Sequence, residues 1–190
     1  MPHLSTPEKS LILLIDPAGS HAAKLDLHIA QTLRASFALL EEATKILQIP
    51  RYFAYPANTS ERDDWLSMPC EQNRKRVYGW PEGESPWANQ ELVTAIRDEN
   101  PSNLFLGGFW LDDSLTFAAL GALTAGFDTY VITDVSVARS AESRETSMER
   151  LIQSGVVPTT AHQAISEWMT EVRDTALRAE LQQLISTSLS

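Results

Sequence analysis

The stretch NLFLGGFWLDDSLTFAALGALTAGF, residues 103–127, decides the reading of this chain. Residues 103–106 form a largely apolar run that leads into Gly107-Gly108. A turn follows, then a helical segment crowded with Ala118, Ala119, Gly121, Ala122 and Ala125. A strand that enters a tight glycine turn and opens a helix presents its first helical side chain at the top of a sheet. The helix N-terminus there supplies free N–H groups and positive potential. α/β enzymes display a nucleophile in this way, and the residue displayed here is Ser114.

The flanking sequence repeats the same alternation. Residues 11–15, LILLI, are apolar without interruption and end in Asp16-Pro17, as a parallel strand buried on both faces would. Leu25, Ile29, Leu33, Phe37, Leu40 and Leu47 recur mostly at three or four residues, which predicts a long amphipathic helix stopped by Pro50. Further strands are expected at 52–55, 77–78, 103–106, 130–133 and 156–157, with helices at 89–99, 112–125, from Ser140 to a Gly155 C-cap, and at 161–186. Met148, Leu151 and Ile152 mark the inner face of the helix after Ser140. This order predicts an α/β fold, a three-layer α/β/α sandwich around a central parallel sheet of about six strands, as one domain over residues 1–190. Residues 56–74 are polar, turn-rich and without clear period, the pattern of a functional lid or flap. The apolar positions of the last helix, Leu177, Leu181, Leu184 and Ile185, exceed what one sheet face needs. They read equally as a contact with another subunit or as a frayed tail.

Composition narrows the classes. The chain is 43% hydrophobic and 21% charged, ordinary for a globular protein. A net charge of −10 disfavours nucleic acid and anionic membranes as partners. LILLI is far too short for a membrane span or signal core. The single cysteine, Cys70, excludes an intrachain disulfide and fits a cytoplasmic location. His3, His21, His28 and His162 are scattered without ligand spacing, so no metal and no other cofactor is expected.

Residues 108–134, GFWLDDSLTFAALGALTAGFDTYVITD, resemble the signature of the isochorismatase-like cysteine hydrolases. That signature runs G-[VI]-x-T-x-x-C, then A-x-x-x-G-[YF], then V-x-V-x-x-D. Without a gap, the family cysteine falls on Ser114 and the G-[YF] pair on Gly126-Phe127. The opening strand, 11–20, resembles the one that ends in the family's catalytic aspartate, here Asp16, and WPEGESPWANQEL at 80–92 resembles the segment that begins with its basic residue, here Trp80. Of an Asp, Lys and Cys triad only Asp16 is matched. The resemblance also implies an oxyanion hole from the N–H groups of Trp110 and Ser114, and a cis peptide between Phe109 and Trp110. Trp87 matches a tryptophan of one subgroup. The metal motif of the nicotinamidase branch is missing from YPANTSERDD.

Ligands of open parallel sheets bind at the carboxyl ends of the strands, where Asp16, Trp80 and the 109–114 turn are expected together. Partial desolvation would raise the Asp16 pKa, as a general acid or base requires. Ser114 reads as a nucleophile or as a helix-start residue that only fits or touches ligand. Trp80, Trp87, Phe109 and Trp110 are expected around the pocket, either holding an apolar or planar ligand or filling it themselves. Asp134 reads as structural, and Asp112 and Asp113 as carboxylates favoured by the helix dipole. The resulting expectation is a hydrolase of a small molecule, cleaving an amide, ester or vinyl-ether bond, with a non-standard site that retains Asp16 and a homo-oligomeric assembly. The alternative is a catalytically inactive member that binds a small ligand or a protein partner.

Overall fold

The computed structural model describes residues 4–58 and 76–188. Six strands form one parallel sheet in the order β3-β2-β1-β4-β5-β6. They are β1 (Ser10–Ile15), β2 (Arg51–Pro56), β3 (Val77–Trp80), β4 (Asn103–Phe109), β5 (Asp128–Val137) and β6 (Val157–Thr159). β1 is buried along its whole length at the centre. Its even residues Ile12 and Leu14 join one core and its odd residues Leu11, Leu13 and Ile15 the other, as the two-residue period of a strand requires.

Helices cover both faces. A single turn, α1 (Gly19–Ala22), precedes the long α2 (Leu27–Ile46), which Asp26 caps by accepting the His28 N–H. Leu33, Phe37 and Leu40 of α2 share the first core with α6 (Ala161–Glu171) and α7 (Thr175–Ser188). The opposite face holds α3 (Gln90–Asp98), α4 (Ser114–Thr124) and α5 (Ala141–Ser154). Among the described residues no helix is long and apolar enough to cross a membrane.

The structure corrects several boundaries. β4 runs on through Gly107-Gly108 to Phe109, and β5 continues to Val137. Between Leu106 and Gly108 the β4–β5 register jumps from Val131 to Ser136, so β5 carries an irregularity there. Arg144 of α5 fastens it, donating to the carbonyls of Ser136 and Thr133, each at 2.7 Å. Asp134 accepts the Ala161 N–H at 2.9 Å, the structural role expected of it. Ile152 is half exposed rather than inward, because α5 turns only Leu151 fully into the core. The terminal helix is broken: residues 172–174 are non-helical, and Asp174 caps α7 by accepting the Ala176 and Leu177 N–H groups. The break folds α7 back, so Leu181 is fully buried, with Leu184 and Ile185 packed on the same chain's core. Most of the expected lid, with Cys70, lies outside the described residues.

Arg144→Met is expected to lower stability by about 1–3 kcal/mol, because it strands two carbonyls without donors. Chemical denaturation measures this, and an unchanged midpoint would show that water replaces the guanidinium.

Candidate functional site

Asp16 leaves the carboxyl end of β1 with φ 44°, a conformation an Asp tolerates better than most residues. Its N–H donates to the Ala54 carbonyl and its own carbonyl accepts the Ala18 N–H, both at 2.7 Å. The residue is 4% exposed. Its Oδ2 lies 2.7 Å from Nε2 of His21, while its Oδ1 is buried with no hydrogen-bond partner among the described residues. Burial pushes the Asp16 carboxyl above its ordinary range, and the charge and hydrogen bond of His21 draw it partly back.

His21 sits on α1 and clusters with two rings that also touch each other, its centroid 5.4 Å from that of Phe109 and 5.0 Å from that of Trp110. Its Nδ1 is buried and without a partner among the described residues. The sequence reading dismissed this histidine with the other three.

The second part of the site is the turn between β4 and α4. The Phe109–Trp110 peptide is cis. The Trp110 carbonyl accepts the N–H groups of Asp113 and Leu115 at 3.0 and 3.1 Å. The N–H groups of Trp110 and Ser114 have no carbonyl partner among the described residues. Ser114 opens α4, and its Oγ donates to the Phe109 carbonyl at 3.4 Å.

Beyond the end of β5, Arg139 reaches this turn. Its side chain donates to Asp112 at 3.1 Å and Asp113 at 3.0 Å, and its guanidinium lies 5.1 Å from the Trp110 ring centre. The two carboxylates that would oppose an anion at Ser114 are thereby partly neutralised.

A cavity of about 360 Å³ joins these parts. Asp16, Ser114, Trp80, Trp110 and Arg139 line it, with Pro56, Asn58, Asp113 and Phe117. The turn after β3 adds Glu82, Gly83 and Glu84. The sequence-expected residues Asp16, Ser114, Trp80 and Trp110 therefore meet in one place. Trp87 and Phe109 do not line it. The Trp87 indole N–H donates to the Ala118 carbonyl at 2.6 Å, and its ring stacks on Phe127. That ring occupies the space a side chain at Gly121 would need. Phe109 points into the first core and is fully buried. Trp80 is a wall rather than a free platform, being 4% exposed among Leu11, Tyr52 and Ala54. Among the described residues no three His, Cys, Asp or Glu side chains are grouped as metal ligands.

This α/β fold, a parallel sheet with a buried acid after β1 and a helix-opening turn after β4, is similar to that of solved isochorismatase-like proteins. Residues 82–163 match the family model described as the Isochorismatase domain. A stretch of 75 residues is 31% identical to the probable hydrolase YcaC of Escherichia coli (strain K12). It covers 40% of this chain and 36% of that relative, about a third of the relative's length. The whole fold is similar to the crystal structure of the Escherichia coli YcaC gene product, an octameric hydrolase of unknown specificity. The TM-score is 0.82 at 21% identity, over 97% of this chain and 92% of the other. YcaC from Pseudomonas aeruginosa, solved with hexane-2,5-diol and covalent acrylamide, gives 0.82 at 17% over 99% and 93%. The MAR1 ribonuclease of Caenorhabditis elegans gives 0.76 at 18% over 96% and 92%.

Proposed function

We propose that this chain is a hydrolase of the isochorismatase family whose chemistry centres on Asp16 rather than on a nucleophile at position 114. The observation that carries this is the Asp16 carboxyl itself. It is buried, raised in pKa, held through one oxygen by His21, and lines the cavity with its second oxygen unpartnered. A carboxyl in that state retains its proton at higher pH than an ordinary one and suits a general acid. It would protonate the leaving nitrogen or oxygen of an amide or ester while water adds to the acyl carbon. For a vinyl ether it would protonate the terminal vinyl carbon while water adds to the oxygen-bearing carbon, and the hemiketal then splits into ketone and alcohol. The proton is then restored to Asp16 from that water. The N–H groups of Trp110 and Ser114, without a carbonyl partner among the described residues, would stabilise negative charge at the reacting oxygen.

Among the described residues no hydrogen bond joins the Ser114 hydroxyl to the base a serine nucleophile requires. Its hydroxyl is directed to the Phe109 carbonyl, and His21 has Nε2 on Asp16 and Nδ1 buried. The test is turnover by wild type, Asp16→Asn and Ser114→Ala on a panel of small amides, esters and vinyl ethers. Asp16→Asn is expected to lose at least about a hundredfold in rate, and Ser114→Ala less than about tenfold. Loss with Ser114→Ala alone would make Ser114 the nucleophile.

A second reading is favoured by Trp80 and Ser114, which the sequence resemblance aligns with the family's basic residue and cysteine. It is a ligand-binding member without turnover. A wild type inert across the panel would select it. We also propose a homo-oligomer, since Leu27 and Ile29 on α2 are exposed apolar residues and the Escherichia coli YcaC protein is octameric. Light scattering after size exclusion decides this.

A further inference from the structure

The walls of the cavity carry an unusual balance of charge. Among the described residues, Asp16, Glu82, Glu84 and Asp113 line it against one cation, Arg139. That guanidinium is already committed, since it bridges Asp112 and Asp113 at 3.1 and 3.0 Å. Glu82 and Glu84 are exposed on the turn after β3 and have no ion-pair partner among the described residues. Deeper in, the Asp16 side chain is 6% exposed, and its Oδ1 is buried without a partner. Trp80, Trp110 and Phe117 supply aromatic lining, beside Pro56, Asn58, Gly83 and Ser114.

Each feature alone would be ordinary. Together they define a preference of sign. A small anion entering here meets uncompensated carboxylates, and a phosphodiester chain meets them repeatedly. A cation gains from the carboxylates and from the negative faces of the aromatic rings. Water leaves a quaternary ammonium cheaply, which is why aromatic walls beside acids suit that group. A protonated amine could in addition donate to the free Asp16 oxygen, the one buried acceptor of this wall left unfilled.

We propose that the cavity binds a small cationic molecule, a protonated amine or quaternary ammonium, beside its aromatic residues, with its charge toward Glu82 and Glu84. The proposal rests on reading this cavity as the substrate site, and it narrows the substrates of the proposed hydrolysis to those bearing a positive group. It does not depend on turnover.

The test uses the full chain and three probes of one shape: choline, its neutral carbon isostere dimethylbutanol, and the anionic dimethylbutanoate. Titration calorimetry at low ionic strength reads all three. Choline is expected to bind at least about tenfold more tightly than the alcohol, the carboxylate not measurably, and added salt to weaken choline alone. In Glu82→Gln/Glu84→Gln, two exposed changes that leave the fold intact, choline should fall to within about threefold of the alcohol. Equal or tighter binding of the alcohol or the carboxylate overturns the proposal, as does undetectable choline binding at millimolar concentration. Choline selectivity without turnover of any panel substrate would retire the hydrolase reading and leave this one standing. Turnover indifferent to substrate charge would do the reverse.

Discussion

His21→Phe is expected to destabilise the protein by about 3–5 kcal/mol at neutral pH, and a second change, Asp16→Asn, to recover most of that loss. Phenylalanine keeps a ring against Phe109 and Trp110, so the packing is largely preserved. What it removes is the only partner of the Asp16 carboxyl among the described residues. An ionised carboxylate would then sit buried with both oxygens bare, the costly outcome of breaking a buried pair from one side. The pH dependence has a definite sign. A carboxyl whose pKa is raised by folding stabilises the fold most at acid pH, and that advantage is lost as pH rises through its folded value. Removing His21 raises that value further. The defect of His21→Phe should therefore be full at neutral pH and shrink as pH falls toward the ordinary aspartate value of about 3.9. Denaturant melts of wild type, both single variants and the double variant at two pH values measure the coupling. An equal cost of His21→Phe with Asp or Asn at position 16 would show that the pair contributes nothing.

The frame of this fold was open to reading because its signals are local. LILLI is apolar at every position since both faces of β1 are covered, and the position of Asp16 follows from where that run ends. The turn after β4 was equally legible, since Gly107-Gly108 and the small residues of α4 state the close approach of backbone to backbone. Two residues of the candidate site escaped. His21 is brought to Asp16 by one turn of helix, and no periodicity marks it. Arg139 escaped because β5 was ended too early, although Val135 and Val137 continue the strand alternation and carry the chain to the turn. Trp87 was placed in the pocket because aromatic character does not say which way a ring faces. The empty volume at Gly121 decides that, and it becomes visible only when α4 is in place. The break in the last helix had a readable signal, an Asp174 suited to cap a new helix, but apolar residues on both sides favoured continuity.

Gly108→Ala is expected to cost about 3–5 kcal/mol and to abolish any activity with it. Gly108 has φ +117°, outside the range an L side chain occupies without strain. A methyl group there would also run into the backbone of Ile15, its register partner on the central strand. Backbone cannot give way as a flexible side chain can, so the relief is to part β4 from β1. That parting occurs where Asp16 leaves one strand and the Phe109–Ser114 turn leaves the other, so the two halves of the cavity separate with it. Gly126→Ala supplies the comparison. Its φ is +91°, yet nothing lies within 4 Å of where the methyl group would be placed. Only the backbone term applies there, about 1 kcal/mol. In a chain of this size each kcal/mol shifts Tm by about 2–4 °C. Gly108→Ala should thus melt well below Gly126→Ala, which itself should lie only slightly below wild type and keep its cavity. Equal losses in the two variants would mean that strand contact at Gly108 is not what holds the site together.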